Sequence, residues 1–273
     1  MRSIFFECSM GAAGDMLSAA LLELVPDKAG ALAELNSLGL PDVEFCAEKV
    51  YRCGVGGTLM TVKVNGGVEN ECHGEHEHHH EGHSHHHGHH HSGMDDVKAI
   101  IEATGLSELS KSRALEVYKI IAEAESEVHG CPVTEVHFHE VGMMDAVADV
   151  SAFCFLLERL APEKIFASPV CVGSGHVKCA HGILPVPAPA AALILRGVPI
   201  YGGKVEGELC TPTGAALLKY FVSSFGPLPE ISVSSIGYGM GKKEFKVACP
   251  HAHDGDGVGV VNCVRAFLGE AKA

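Results

Sequence analysis

The chain has 273 residues, of which 47% are hydrophobic, and a formal net charge of −14 at pH 7. This length and apolar content exclude a disordered chain and predict a folded core, while the acidic surplus argues against nucleic acid as the main partner. The 11 cysteines form no C-x-x-C pair, a pattern typical of reduced thiols in a cytoplasm rather than of a secreted disulfide scaffold.

Signals for a membrane or for secretion are not expected from this sequence. The most apolar stretch, from Ala146 to Ala161, is interrupted by Asp149, Glu158 and Arg159, so no membrane span is predicted. Glu7 interrupts the apolar run at the start of the chain, so no secretory peptide is predicted either. We therefore expect a cytoplasmic protein that needs no membrane.

Hydrophobic periodicity predicts the elements in chain order. Strands are expected over Ser3–Phe6, Val43–Arg52, Leu59–Asn65, His137–His139, Ile231–Tyr238 and Val258–Val264, with a hairpin turn at Gly54, Gly56 and Gly57. A pair of strands around Pro169 is expected over Ile165–Val172. Helices are expected over Met16–Val25, Asp27–Leu38, Asp95–Ala103, Leu109–Val128, Ala146–Leu160, Ala190–Leu195 and Ala215–Phe225. Short strands with several amphipathic helices predict an α+β or mixed α/β fold, and we expect one domain over residues 1–273.

A histidine-rich segment interrupts this pattern. From Glu69 to Gly93 there are almost no apolar side chains, so the segment cannot offset its ordering entropy and is predicted to be a disordered loop. Between His73 and His91, 12 of 19 residues are histidine, and neutral imidazole binds nickel, zinc and copper. The candidate ligands are His73, His76, His78, His79, His80, His83, His85, His86, His87, His89, His90 and His91. Composition does not name the metal, because affinity alone favours copper.

A second, more ordered metal site is predicted around His137, His139 and Glu140. In an extended strand alternate residues share a face, so the two imidazoles point the same way. Asp145 and Asp149 lie one helical turn apart on one helix face, and two imidazoles with two carboxylates suit nickel, zinc or manganese. The alternative is structural: Asp145 caps the helix, Asp149 pairs with a cation and the histidines pack in the core.

Three further segments are weaker candidates. His181 lies in a segment with alternating prolines, whose rigidity suits a binding site and a tight turn equally. The segment from Gly11 to Asp15, with Gly14 inside it, can present backbone N–H groups to an anion where a helix starts, although such a segment is more often only a turn. Lys242 and Lys243 follow a glycine-rich stretch and can hold a phosphate, but the spacing is not that of a Walker loop.

Taken together, these segments resemble the LarC-type nickel-insertion proteins. The matches occur in order through nearly all of the chain and are specific as a set, although each is weak alone. The matching segments are Gly11–Met16, the histidine tract, His137–Glu140 with Gly142, Asp145 and Asp149, Ala180–Ala190, Glu208–Leu209, Thr211–Ala216 and Gly237–Gly239.

The resemblance implies a nickel chelatase of the lyase type. Such a protein inserts Ni(II) into pyridinium-3,5-bisthiocarboxylic acid mononucleotide, with one carbon–nickel and two sulfur–nickel bonds, to form the nickel-pincer cofactor of lactate racemase. Insertion in the family depends on CTP and Mn(II) through a C-terminal half. We expect the ordered site to comprise Asp15, His137, His139, Glu140, Asp145, Asp149 and His181. We expect Gly11, Gly14, Lys242 and Lys243 to meet the substrate phosphate, in a protein that forms a homo-oligomer.

The sequence departs from the family pattern in three ways. Glu7 stands where an aspartate is usual, and the segment from Pro250 to Asp256 is an unusual insertion. The chain also ends near residue 273, where the N-terminal half of a full-length member would end. A separately encoded C-terminal half is therefore an expected partner, and this chain alone is expected to bind nickel without necessarily catalysing insertion.

Two other functions remain open at this stage. A nickel storage or chaperone protein without catalysis would need only the histidine tract. A metal-dependent hydrolase would use His137, His139 and Asp149. Deletion of the segment from His73 to His91 discriminates between the tract and an ordered site, because only an ordered site retains metal when the tract is gone.

Overall fold

The computed structural model describes residues 1–68, 93–136, 138, 144–179, 182–247 and 257–272. The helices in these ranges are α1 (Gly14–Leu24), α2 (Lys28–Asn36), α3 (Met94–Ala103), α4 (Glu108–His129), α5 (Met144–Leu160), α6 (Pro189–Ile194) and α7 (Pro212–Phe221). The strands are β1 (Arg2–Glu7), β2 (Val43–Arg52), β3 (Val55–Val64), β4 (Gly67–Val68), β5 (Lys164–Ala167), β6 (Val170–Cys171), β7 (Gly173–Ser174), β8 (His176–Cys179), β9 (Gly182–Pro185), β10 (Ile200–Tyr201), β11 (Gly207–Glu208), β12 (Ser224–Phe225), β13 (Ile231–Met240), β14 (Phe245–Val247), β15 (Val258–Val260) and β16 (Cys263–Ala271).

An eight-stranded mixed sheet organises these elements. Its order is β12-β5-β1-β16-β13-β3-β2, with β4 beside β3. The central strand β16 is antiparallel to both β1 and β13, whereas β5 is parallel to β1 and β3 is parallel to β13. Four two-stranded sheets, β6–β10, β7–β11, β8–β9 and β14–β15, accompany it. The mixed α/β fold expected from the sequence is therefore confirmed, while the single-domain expectation stays a prediction.

Helices α1 and α5 form the layer that packs on this sheet. Helix α1 lies against β13, β3 and β16 and packs against α5, and α4 packs on α5 from the far side. Nearly every residue of α1 is buried, as expected of a helix enclosed on all sides. Phe6 of β1 and Phe153 of α5 pack with ring centroids 6.1 Å apart. The core therefore lies between the sheet and the α1–α5 layer.

Glycines in β13 let that strand approach α1 closely. A Cβ on Gly239 would lie 1.8 Å from the carbonyl oxygen of Met16, and a Cβ on Gly237 would lie 2.1 Å from that of Ala20. Backbone atoms cannot move aside as a flexible side chain can. The alternating glycines therefore fix how the end of β13 is placed over the start of α1.

Local sequence signals explain several element boundaries. The β2–β3 hairpin turns through Cys53 and Gly54, both with positive φ, which is the conformation of a tight hairpin turn. Asp27 caps α2 by accepting from the amide of Gly30 at 2.9 Å. Thr211 caps α7 by accepting from the amide of Gly214 at 3.2 Å. These caps satisfy amides that have no partner inside the helix.

Two predicted elements are wrong in part. The helix expected over Ala215–Phe225 begins at Pro212 and ends at Phe221, because Ser224 and Phe225 pair with β5 as β12. The strand expected over Val258–Val264 is split into β15 and β16, and Asn262 lies in the break. The short strands β7 to β11 had no periodic signal long enough to predict them.

Other predicted segments lie outside the residues that the structure describes. The loop predicted over 69–93 lies outside the described residues apart from Gly93, and so does the extended segment 137–139 apart from Phe138. The insertion at 250–256 is outside them too. In the described part of the chain, no helix is long and apolar enough to cross a membrane.

Candidate functional site

The N-terminal ends of α1 and α7 are joined by backbone hydrogen bonds. The amide of Ala12 donates to the carbonyl of Leu209 at 3.0 Å, and the amide of Thr211 donates to the carbonyl of Ala12 at 3.1 Å. Gly11 enters this loop with φ +78°, and a Cβ there would lie 1.9 Å from the oxygen of Leu209. Gly11 is therefore needed for close packing at the point where both helices begin.

Helix α5 begins beside the same loop. A Cβ on Gly14 would lie 2.7 Å from Cβ and 2.8 Å from Oδ2 of Asp149. The hydroxyl of Ser18 donates to the carbonyl of Asp149 at 3.4 Å, and the amide of Asp15 donates to the Asp149 carboxylate. The start of α1, which favours anions through its amides and dipole, is therefore already occupied by a carboxylate of α5.

Three carboxylates converge at this junction. Asp15 lies in the first turn of α1 and Asp145 in the first turn of α5, with Asp149 one turn further along. Each of the first two accepts at 2.7 Å from the amide of the following residue, Met16 for Asp15 and Ala146 for Asp145. We call Asp15, Asp145 and Asp149 the acidic cluster.

Asp149 is the most constrained member of the acidic cluster. Its Oδ1 is shielded from solvent and accepts no hydrogen bond from any described residue. Burial raises the pKa of this carboxyl well above its usual range, and the charges of Asp15 and Asp145 raise it further. Both effects favour the protonated form of Asp149 over the ionised form. Its Oδ1 is therefore a buried polar atom that the described part of the chain leaves without a hydrogen bond.

Lys242 brings a positive charge to the cluster from the end of β13. Its Nζ lies 3.6 Å from Oδ2 of Asp15, with side-chain exposures of 41% and 12% respectively. The neighbouring turn is anchored: the amide of Gly241 donates to the carbonyl of Asn262 at 2.9 Å, and Nδ2 of Asn262 donates to the carbonyl of Lys243 at 3.0 Å. The backbone is thus fixed while the lysine side chain remains partly exposed.

A small cavity of about 50 Å³ lies between these elements. Its polar lining combines both charge signs: Asp15, Glu208, Thr211, Lys242, Lys243 and Asn262. A cavity of this kind suits a ligand that carries a cationic and an anionic group.

The segment that carries His137 and His139 can be placed only through Phe138. Phe138 is 3% exposed, and its ring lies 6.1 Å from that of Tyr118 on α4 in an edge-on arrangement. Burial raises the pKa of Tyr118, as do the charges of Asp145 and Asp149. Tyr118 thus packs against Phe138 and is also close enough to Asp145 and Asp149 for their charges to act on it.

Several predicted site residues fall outside the described ranges. These are His137, His139, Glu140, His181 and all of the candidate ligands between His73 and His91. Of the described candidates, the structure brings together Gly14, Asp15, Asp145, Asp149 and Lys242, with Lys243 in the adjoining cavity and Gly11 in the loop before α1. Among the described residues, no three His, Cys, Asp or Glu side chains are placed to hold one metal ion.

Sequence reasoning missed three residues of this region. Glu208 was recognised only as part of a family segment, yet it lines the cavity. Asn262 had no local signal, because its role is to anchor a turn that is 19 residues away in sequence. Tyr118 has the spacing of an ordinary core position in an amphipathic helix, so no pattern could separate it from its neighbours.

Four buried thiols of the described chain are poor candidates for metal ligands. Burial raises the pKa of Cys8 and of Cys210, and it raises the pKa of Cys154 to about 12 and of Cys263 to about 11. Because the thiolate is the metal-binding form, these buried thiols are poor ligands near neutral pH.

Comparison with known proteins places the chain in a family. Residues 4–252 match the family model described as nickel insertion protein. The chain is 38% identical over its full length to the pyridinium-3,5-bisthiocarboxylic acid mononucleotide nickel insertion protein of Clostridium kluyveri, covering 63% of that protein. It is 40% identical over 90% of its length to the protein of the same description from Desulfitobacterium hafniense, covering 56%. It is 39% identical over 99% of its length to a putative nickel insertion protein of Dictyoglomus thermophilum, covering 61%.

The chain thus spans 56 to 63% of the length of these relatives. No solved structure matches it. Since the family model covers most of the sequence, the chain belongs to the nickel insertion protein family.

Proposed function

We propose that this protein binds Ni(II) as its cargo at the acidic cluster and takes part in inserting it into pyridinium-3,5-bisthiocarboxylic acid mononucleotide. The observation that carries the proposal is Oδ1 of Asp149, shielded from solvent and without a hydrogen bond from any described residue. It lies between two further carboxylates, Asp15 and Asp145. The substrate is that in the names of the relatives from C. kluyveri and D. hafniense.

The remaining nickel ligands in this proposal come from the histidine segments. The described side chains alone do not complete a metal site, and nickel accepts imidazole together with carboxylate. Phe138 packs on Tyr118, which supports a contribution from His137, His139 and Glu140 next to Asp145 and Asp149. His181 completes the proposed set. A mixed nitrogen and oxygen site holds nickel while leaving it exchangeable with a sulfur donor.

The charges that line the adjoining cavity suit the two ends of the mononucleotide, and its volume of about 50 Å³ holds only part of such a ligand. A pyridinium ring is cationic and a phosphate is anionic, and the cavity offers Asp15 and Glu208 to the first and Lys242 and Lys243 to the second. Ala13, in the loop between Gly11 and Gly14, lines the cavity, and this loop would bring backbone close to the ligand. In the mechanism, the carboxylates would hold nickel and the lysines would orient the phosphate. The substrate's two sulfur atoms and one ring carbon would replace the protein ligands, and a displaced carboxylate of the acidic cluster would take up the proton that this ring carbon loses.

Nickel supply and complete catalysis involve other parts of the sequence in this proposal. The histidines between His73 and His91 act as a collector that raises the local nickel supply. The chain works in the cytoplasm as a homo-oligomer, as a single domain. Catalysis as a lyase-type chelatase with CTP and Mn(II) would involve a C-terminal half. Additional sequence of this kind would account for the greater length of the relatives.

Asp149→Asn in the full chain tests the proposal. We expect at least a tenfold loss of nickel transfer to the thiocarboxylated mononucleotide. Mass spectrometry of the product measures the transfer, in reactions that contain CTP and Mn(II), with and without the additional region of a longer relative. Glu116→Gln, which removes an exposed carboxylate from α4, is the matched control and should leave transfer unchanged. Wild-type transfer rates in the Asn variant would reject the acidic cluster as the nickel site. No transfer by the wild type under any of these conditions would leave nickel storage as the better function.

A further inference from the structure

Lys242 forms an ion pair with one carboxylate of the acidic cluster, the proposed site of an incoming cation. Its Nζ is 3.6 Å from Oδ2 of Asp15, and its charge lowers the pKa of Asp149 against the opposing effects of burial, Asp15 and Asp145. A divalent ion that approaches Asp15 therefore meets an ammonium group already paired with this carboxylate.

The surrounding structure lets the side chain of Lys242 move while its backbone stays fixed. Asn262 anchors the turn on both sides of Lys242, and Nη2 of Arg52 donates to the carbonyl of Lys242 at 3.4 Å. The side chain is 41% exposed and carries four rotatable methylene links. Partly exposed ion pairs of this kind are weak, typically worth about 1 kcal/mol or less, so a divalent ion can displace the ammonium at small cost.

The displaced ammonium remains at the cavity, since Lys242 contributes to the lining together with Asp15 and Lys243. Once the ammonium is released from Asp15, it can bind the anionic end of a ligand in that cavity. An ammonium is a point charge that binds phosphate without a strict geometry.

We propose that Lys242 is an exchangeable counter-ion: it neutralises Asp15 in the metal-free protein, a divalent cation displaces it, and the freed ammonium then binds the phosphate of a pyridinium mononucleotide. This inference rests on the proposed function and adds an order of binding to it. The metal and the mononucleotide then bind cooperatively, because both act on the same lysine. Thermodynamic linkage requires that each ligand increase the affinity of the other by the same factor.

The test measures this factor by calorimetry, with Ni(II) and nicotinic acid mononucleotide as probes. The protein is the full-length chain with the twelve tract histidines replaced by serine, so that the tract does not mask a single site. In this background the mononucleotide should tighten nickel binding by about fivefold, the factor that about 1 kcal/mol represents. Lys242→Met should bind nickel about fivefold more tightly than its parent when the mononucleotide is absent, and should show no coupling.

Lys246→Met is the matched control, because it removes an exposed lysine from the adjacent strand β14 outside the cavity. It should retain the full coupling factor. Coupling that persists in Lys242→Met, or that is missing in the parent protein, overturns the proposal while leaving nickel binding at the cluster intact. Nickel binding that is unaffected by Asp149→Asn defeats the proposed site and this inference together. If the serine-substituted chain does not fold, Mn(II) binding to the unmodified chain, followed by electron paramagnetic resonance, measures the same factor, because manganese prefers carboxylate to imidazole ligands.

Discussion

At the scale of single residues, the surroundings of Asp149 have two opposing effects on the protonation of its carboxyl group. Its position at the start of α1 supplies an amide from Asp15, which stabilises the ionised carboxylate. Its burial between Asp15 and Asp145 raises the carboxyl pKa and favours the protonated form. A cation at Oδ1 would reverse that preference, because it would take the place of the proton. The crevice is thus more stable without charge than with it, which is typical of a site built for a ligand.

This conflict predicts how stability depends on pH. The pKa of Asp149 is raised in the folded protein, so its contribution to stability is complete below the pKa of the unfolded chain, about 3.9. It is lost as the pH rises through the folded pKa. Asp149→Asn removes this loss, so its free energy of unfolding should exceed that of the wild type at pH 8, by about 1.4 kcal/mol for each unit by which the pKa is raised.

Urea denaturation of the metal-free proteins between pH 5 and pH 8 measures the effect. The difference between Asp149→Asn and wild type should shrink as the pH is lowered, and Glu116→Gln should follow the wild type throughout. Parallel curves for the Asn variant and the wild type would show that Asp149 does not carry a raised pKa.

At the scale of elements, the contact between α1 and β13 places the site. Gly237 and Gly239 allow the strand to lie on the backbone of α1, and this places the turn with Lys242 above the start of the helix. The glycine-rich stretch was interpreted from sequence as a possible phosphate loop. The structure shows a packing role for its first two glycines, while Lys242 and Lys243 supply the charge.

Gly239→Ala should therefore be strongly destabilising. The added Cβ would lie 1.8 Å from the carbonyl oxygen of Met16, and relief requires the strand to move away from the helix. Overpacking of this kind typically costs about 1–3 kcal/mol and occasionally more, and we expect the upper end because the obstacle is backbone. Thermal denaturation should show a clear drop in Tm for this variant. Gly226→Ala, where a Cβ meets nothing within 4 Å, should stay close to wild type; equal effects of the two changes would contradict the packing argument.

Glu23 is a second determinant of this contact. Its Oε1 accepts from Thr58 at 2.8 Å and from Lys49 at 3.0 Å, and its Oε2 accepts from the amide of Tyr238 at 2.9 Å. Burial acts to raise the pKa of Glu23, but these hydrogen bonds and the charge of Lys49 outweigh it and lower the pKa. The stabilisation is therefore present above the unfolded pKa, about 4.3, and is lost as the pH falls through the folded pKa.

Glu23→Gln should lower the free energy of unfolding by about 1.5–3 kcal/mol at pH 7, the usual range for hydrogen bonds to a charged group. The matched control is Glu44→Gln on strand β2, whose carboxylate is 61% exposed and lies 3.2 Å from Lys63; it should cost less than about 1 kcal/mol. Denaturant titrations at pH 7 and pH 4 check both values. A Glu23 deficit as large at pH 4 as at pH 7 would mean that the ionised form is not the source of the stabilisation.

The elements also show how far the sequence alone reaches. Hydrophobic periodicity and helix-capping residues predict the ends of α1, α2, α4 and α5 within a few residues, because these signals are local. The spacing of Asp145 and Asp149 on one helix was predictable for the same reason. The meeting of Asp15 with Asp149 and Lys242 was not, because it depends on how α1, α5 and β13 pack, and that contact joins positions far apart in the chain. Strands of two residues, such as β12, are set by their partners and carry no period of their own.

At the scale of the whole molecule, the proposed function gives nickel two candidate binding places. The histidines between His73 and His91 offer many weak and equivalent ligands in the sequence. The acidic cluster offers one protected crevice between helix starts. A protein that only stores nickel needs the first, whereas one that transfers nickel to a mononucleotide needs a place where metal and substrate meet. The cavity beside Asp15 is the candidate for such a place.

Replacement of the twelve tract histidines by serine should separate the two. The described core is formed by α1, α5 and the sheet, so we expect the Tm to change little. Nickel stoichiometry, measured by equilibrium dialysis, should fall from several ions per chain to about one, because a single ordered crevice remains. Adding Asp149→Asn to this variant should remove the last ion, whereas adding Glu116→Gln should not. A serine-substituted chain that binds no nickel at all would mean that the tract supplies the binding sites, and the cluster would then serve only to hold α1 and α5 together.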